Sequence, residues 1–97
     1  MTLDYATNKI EKNKNYLISN FHIHKIGLFG SIVNNRHTKE SDIDILVQFN
    51  KGHKGFFNYM KLKYYLEELF KNEVDLVMID SLKRRLKDKI LSEAKYV

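Results

Sequence analysis

From Thr2 to about Asn20 the apolar residues Leu3, Ala6, Ile10, Leu17 and Phe21 recur at steps of three, four, seven and four, with lysines and asparagines between them. This is the spacing of one helical face, and it predicts a first helix. Lys25 to Phe29 (Lys-Ile-Gly-Leu-Phe) reads as a short buried strand, halted by Gly30-Ser31. Glycine there gives the backbone freedom and serine can cap a helical turn, predicted over Ile32 to Asn35. Asn34 to Ser41 is wholly polar between two apolar runs and predicts an exposed loop. In Asp42 to Phe49 the period changes to two: Ile43, Ile45, Val47 and Phe49 make one apolar face, while Asp42, Asp44, Leu46 and Gln48 share the other, as in a strand. After a loop from Asn50 to Gly55, the spacing of Tyr59, Leu62, Leu66 and Leu69 predicts a long helix over Phe56 to Lys71. Glu73 to Ile79 reads as a third strand. Asp80 or Ser81 is placed to cap a C-terminal helix on which Leu82, Leu86, Ile90 and Ala94 repeat at every fourth residue.

The alternation of helices and strands predicts a small α/β (α+β) domain: a short mixed sheet with helices packed mainly on one face. The strands 42–49 and 73–79, joined by a helical crossover, are expected to run parallel. With 97 residues, no proline, no repeat and no low-complexity tract, residues 1–97 are expected to form a single domain. So small a chain has few side chains to spare for a deep pocket, so that a partner or a second subunit in a homo-oligomer would complete a site. Cysteine is absent, which excludes disulfides, thiolate zinc sites and cysteine nucleophiles and favours a cytoplasmic setting. No run approaches the roughly 18 apolar residues of a membrane span, and the lysine- and asparagine-rich N-terminus is unlike a signal peptide, so no membrane association is expected. The net charge of +5 attracts polyanions such as nucleotides, nucleic acid or an acidic protein, against the plainer reading of a solvated lysine-rich surface.

The candidate chemistry lies in Gly27-Leu-Phe-Gly-Ser31, then Asp42-Ile-Asp44 at the head of a strand, then Val74-Asp75-Leu76 inside another. Glycine at a strand end lets a backbone approach a phosphate closely, and a serine hydroxyl can donate to it; a plain capped turn uses the same residues. Asp42 and Asp44 project the same way from positions about 6.5 to 7 Å apart along the strand. Two like charges on one face either stay at an exposed strand start, solvated or paired to lysine, or call for a cation, and magnesium suits one or two carboxylates completed by water and phosphate oxygens. Asp75, carried by a strand beside or near that of Asp42, would make three carboxylates on one patch. That is enough for two-metal phosphoryl or nucleotidyl transfer.

These spaced motifs resemble the signature of the minimal nucleotidyltransferase domain, the smallest branch of the DNA polymerase beta-like nucleotidyltransferase superfamily. The resemblance spans nearly the whole chain, including the tail Arg85-Leu-Lys-Asp-Lys-Ile-Leu-Ser-Glu-Ala. It implies that Gly30 and Ser31 hold the triphosphate of ATP or another NTP, that Asp42 and Asp44 bind two Mg²⁺ ions, and that Asp75 completes the metal site and helps activate an acceptor hydroxyl. It also implies an antitoxin paired with a helical HEPN ribonuclease toxin, in some members through transfer of AMP to a toxin tyrosine. Asn34 stands where many members carry arginine, and Arg36 or Lys39 is the available substitute for that charge in binding phosphate.

The same residues support a second reading, a catalytically weak or inactive antitoxin that neutralises its partner by covering it. A nucleic-acid binder using Lys83, Arg84, Arg85, Lys87 and Lys89 ranks last, because these positions fall on the polar side of an amphipathic helix. His22, His24, His37 and His53 lack the spacing of a metal-binding helix. Phe56, Phe57, Tyr59, Tyr64, Tyr65 and Phe70 at helical spacing are expected in the core rather than stacked on bases.

Overall fold

The order of elements follows the pattern, with departures that trace to particular side chains. In the computed structural model, which describes residues 1–97, helix α1 (Leu3–Lys12) starts where the Thr2 hydroxyl accepts the Tyr5 N–H at 3.1 Å. The single first helix expected to reach Asn20 is two helices. Asn13 leaves helical geometry at φ −106° and ψ 7°, and α2 runs Lys14–Phe21. The Asn13 side-chain nitrogen donates to the Lys9 carbonyl at 2.8 Å, and its oxygen accepts the Tyr65 hydroxyl at 3.1 Å. The break thus doubles as the tie between the first helices and the long helix α3 (Phe56–Phe70).

Strand β1 (Ile23–Phe29) begins two residues before the expected Lys25. His22, in the left-handed region at φ 56°, closes α2 and turns the chain into the sheet. The register against β2 (Ile43–Phe49) shifts between Ile23 and Lys25, so His24 interrupts the period-two pattern that would have marked the strand's start. β3 is Val74–Met78 and β4 is Lys95–Tyr96, and the sheet order is β3-β2-β1-β4. β2 and β3 are parallel, as expected of a crossover through α3, and β1 is antiparallel to both β2 and β4.

The alternating face of β2 is the floor of the core: Ile43, Ile45 and Val47 are fully buried and Phe49 nearly so. Against it pack Ala6 and Ile10 of α1, Leu17 and Phe21 of α2, and Leu62, Leu66 and Phe70 of α3, so three helices cover one face of the mixed sheet. The free edge of β3 is pinned by α3. The Tyr59 hydroxyl donates to the Leu76 carbonyl at 2.5 Å, and the Glu67 carboxylate accepts the Val74 N–H at 3.2 Å.

The C-terminal segment differs from expectation. Asp80 and Ser81 lie in a 3₁₀ turn (Ile79–Ser81) and cap nothing; helix α4 starts at Arg84 and ends at Glu93. Its apolar stripe is not covered: no α4 residue is buried, and Leu86 is 53% exposed. Ala94, expected inside that helix, instead leads into β4. A Cβ on Gly27 would stand 3.0 Å from the Lys95 carbonyl oxygen and 3.1 Å from the Tyr96 ring, so the missing side chain is what admits β4 to the sheet. The aromatics divide as well. Phe70 is buried and Tyr59 and Tyr65 pack on the core, whereas Phe56, Phe57 and Tyr64, also expected inside, are exposed, Phe57 to 80%. No helix is long and apolar enough to cross a membrane.

Candidate active site

Three strand ends meet where the sequence places its acidic residues. The parallel register sets Asp44 beside Asp75, and the antiparallel register sets Phe29, the last residue of β1, beside Asp44. The turn that follows β1 therefore lies against Asp44 at the start of β2. Gly30 takes φ +71°, and a Cβ there would collide with the Asp44 carboxylate, lying 2.9 Å from its Cγ. Only glycine meets both conditions, the left-handed backbone and the contact.

The Ser31 backbone N–H beside the Asp44 carboxylate favours its charged form. Even so, the Asp44 carboxyl is pushed up from its ordinary 3.8 to about 6, chiefly by burial, then by the charge of Asp75, a hydrogen bond shared with Asp75, and the charge of Asp42. The three aspartates singled out in the sequence thus act on one another. Asp44 is half-buried, whereas Asp42, just ahead of β2, and Asp75 are exposed. As their side chains stand, the three do not close into a set of metal ligands.

Gly30, Ser31 and Arg36 also come together. The Gly30 carbonyl accepts the N–H groups of Val33 and Asn34, each at 3.1 Å, and the Ser31 carbonyl accepts the Arg36 N–H at 2.8 Å. These bonds fold the chain after β1 into a 3₁₀ turn (Gly30–Ile32) and bring the Arg36 backbone back onto it, with the left-handed Asn35 between. The carbonyls of Gly30 and Ser31 are thus spent on the N–H groups of Val33, Asn34 and Arg36, and the Ser31 hydroxyl and the Arg36 guanidinium are the side-chain donors of this segment. Arg36 is exposed and takes part in neither ion pair of the chain. Asn34 and Lys39 are exposed on the same loop.

One residue of the site has no signal in the sequence. The Asn72 side-chain nitrogen donates to the Ser41 carbonyl at 3.0 Å and to the Glu73 carbonyl at 2.9 Å, and the Ile43 N–H donates to that Glu73 carbonyl at 2.9 Å. Asn72 therefore fastens the chain just before Asp42 to the chain just before Asp75. Of the histidines, His22 and His53 stack at 3.8 Å at the far end of β2, and His37 holds a buried Nδ1 with no partner.

The family described as polymerase beta, nucleotidyltransferase has a model that matches residues 11–97, a stretch that contains every part of this site. The chain belongs to the polymerase beta nucleotidyltransferase family. This nucleotidyltransferase is 36% identical over 97 residues to the protein adenylyltransferase MntA of Thermococcus cleftensis, covering 100% of this chain and 97% of MntA. Its fold matches a solved candidate minimal nucleotidyltransferase at a TM-score of 0.84 and 29% identity, over 98% of this chain and 95% of that one. A toxin-antitoxin crystal structure with AMP-PNP matches the nucleotidyltransferase at a TM-score of 0.74 and 29% identity, over 92% of this chain and 69% of that one. The small mixed sheet with its helices is therefore a minimal nucleotidyltransferase fold.

Proposed function

We propose that this nucleotidyltransferase transfers AMP from ATP to a hydroxyl of a partner protein, as the antitoxin of a HEPN toxin. The observation that carries the reading is the register of Asp44 beside Asp75, with Gly30 and Ser31 against the Asp44 carboxylate. The relative MntA, a protein adenylyltransferase, and the AMP-PNP of the toxin-antitoxin structure agree with it.

The donor set suits magnesium, being carboxylate oxygen throughout, with Asp44 held half-desolvated among like charges that a cation would relieve. Asp42, Asp44 and Asp75 would hold it, together with water and phosphate oxygens. Bound magnesium supplies neutralisation of phosphate charge and a lower pKa for the attacking hydroxyl. Gly30 and the Ser31 hydroxyl seat the triphosphate, and Arg36 offsets its charge in place of the arginine that Asn34 replaces. The acceptor oxygen then forms a bond to the α-phosphorus as the bond to the pyrophosphate oxygen breaks. Asp75, exposed at the open side of the site, receives the hydroxyl proton.

The test is intact mass of the chain and of the product of its adjacent gene after incubation with ATP and Mg²⁺. The expected result is added AMP on the partner, absent with the Asp42→Asn, Asp44→Asn variant. A second reading is favoured by Asn34 and by the unclosed carboxylates: an antitoxin that acts by occlusion. It takes over if the double variant still protects cells while the partner gains no mass.

A further inference from the structure

Helix α3 buries one side and leaves the other bare. Leu62, Leu66 and Phe70 are in the core, and at about 100° per residue Phe57, Lys61, Tyr64 and Glu68 fall on the opposite side, within about 60° of one another. All four are exposed, Phe57 to 80% and Tyr64 to 62%. Two large aromatic rings two turns apart on a solvated ridge mark a surface for contact. The charges on the ridge have an order. Lys61 takes part in neither ion pair of the chain, and Glu68 pairs with the exposed Lys71 at the helix end. There the ridge runs into an open depression of about 600 Å³ lined by Tyr64, Glu67, Glu68, Lys71, Asn72 and Glu73, three carboxylates to one ammonium. Lys61 and Glu68 are seven residues apart, about 10 Å along the axis. Turned end for end about a point between Tyr64 and Tyr65, the ridge sets its cation on its own anion, twice.

We infer that a second copy of this chain docks on the ridge, the two α3 helices packing antiparallel about a two-fold axis. Lys61 of each copy meets Glu68 of the other, and the Tyr64 rings meet at the axis. Each Phe57 lies across the end of the other helix, where its ring face takes the Lys71 ammonium. A partner of one sign of charge would oppose either Lys61 or Glu68 with its like. A helix carrying both signs in reverse order satisfies both, and this ridge turned about is such a helix. The contact is on the helix side of the sheet, whereas Asp44 and Asp75 alternate with core residues and project from the other face, so both candidate sites stay open. The inference is independent of the transfer reaction. Two helices of 15 residues bury less than a standard interface, so the dimer is weak.

The test is sedimentation equilibrium of the full chain up to about 1 mM, in about 0.15 M salt. The expected result is reversible dimerisation with a Kd of about 50 μM, weakened at least about fivefold by Phe57→Ser and by Lys61→Glu, and restored when Lys61→Glu is joined by Glu68→Lys. Thermal melts of these variants are expected to match the parent, since every altered side chain is exposed. The chain has no cysteine, which allows a second measurement. Copies carrying Lys61→Cys mixed with copies carrying Glu68→Cys are expected to form a disulfide-linked dimer on mild oxidation, faster than either variant alone. A monomer up to about 1 mM, a dimer indifferent to Phe57→Ser, a charge swap that restores nothing, or equal cross-linking of each variant alone overturns the inference. If the chain alone is a monomer and Phe57→Ser instead weakens binding of the adjacent gene's product, the ridge belongs to that partner and the inference is overturned too.

Discussion

Gly30 shows how much a single missing side chain can fix. At φ +71° alanine is strained, and its Cβ would displace the Asp44 carboxylate. Gly30→Ala is expected to cost about 2 kcal/mol and lower Tm by about 10 °C, read by circular dichroism. Asp44 makes a prediction with the opposite sign. Its folded carboxyl titrates at about 6 against an ordinary 3.8, so between these values the folded chain holds the proton more tightly than the unfolded one. The contribution is complete below 3.8 and is lost as pH rises through about 6, leaving a repelled charge at neutral pH. In metal-free buffer Asp44→Asn should therefore raise Tm at pH 7.5 by about 4 to 8 °C, allowing about 1 kcal/mol after solvent screening. Near pH 3.5 it should leave Tm unchanged; a larger gain in acid than at pH 7.5 would contradict this account.

Among the elements, the junction of β2 and β3 rests on Asn72. Asn72→Ala removes two side-chain hydrogen bonds, at an expected cost of about 1 to 2 kcal/mol. Amide exchange should quicken at Ile43, whose N–H lies in the same clamp, and stay slow at Leu28. How legible each element was depended on whether its cause was local. β2 could be read because its alternation is enforced by a core on one face, and the parallel run of β2 and β3 follows from the helical crossover, whereas the register that sets Asp44 beside Asp75 does not. The break at Asn13 could not, because asparagine is tolerable in a helix and the partner that fixes it, Tyr65, lies on α3. β4 has two residues and hence no period; it exists because Gly27 leaves room. In the site, the aspartates and Gly30-Ser31 announced themselves by type and spacing, whereas Asn72 acts through backbone carbonyls that no pattern marks.

For the molecule as a whole, one densely shared core carries the stability. Ile45, fully buried at the centre of the sheet, should lose about 3 kcal/mol on Ile45→Ala in denaturant titration. Leu86→Ala, on the uncovered stripe of α4, should stay within about 0.5 kcal/mol. The strand order also sets a timetable. β1 and β2 are near neighbours in the chain and β3 follows after one helix, so those pairings close modest loops. β4 returns from the far end of the 97 residues to lie on the strand formed first. Its closure spans the longest loop in the sheet and carries the largest entropic penalty. During synthesis the aspartate site can thus assemble while the outer edge of β1 is still bare. The pairing of Gly27 and Leu28 with β4 is made last.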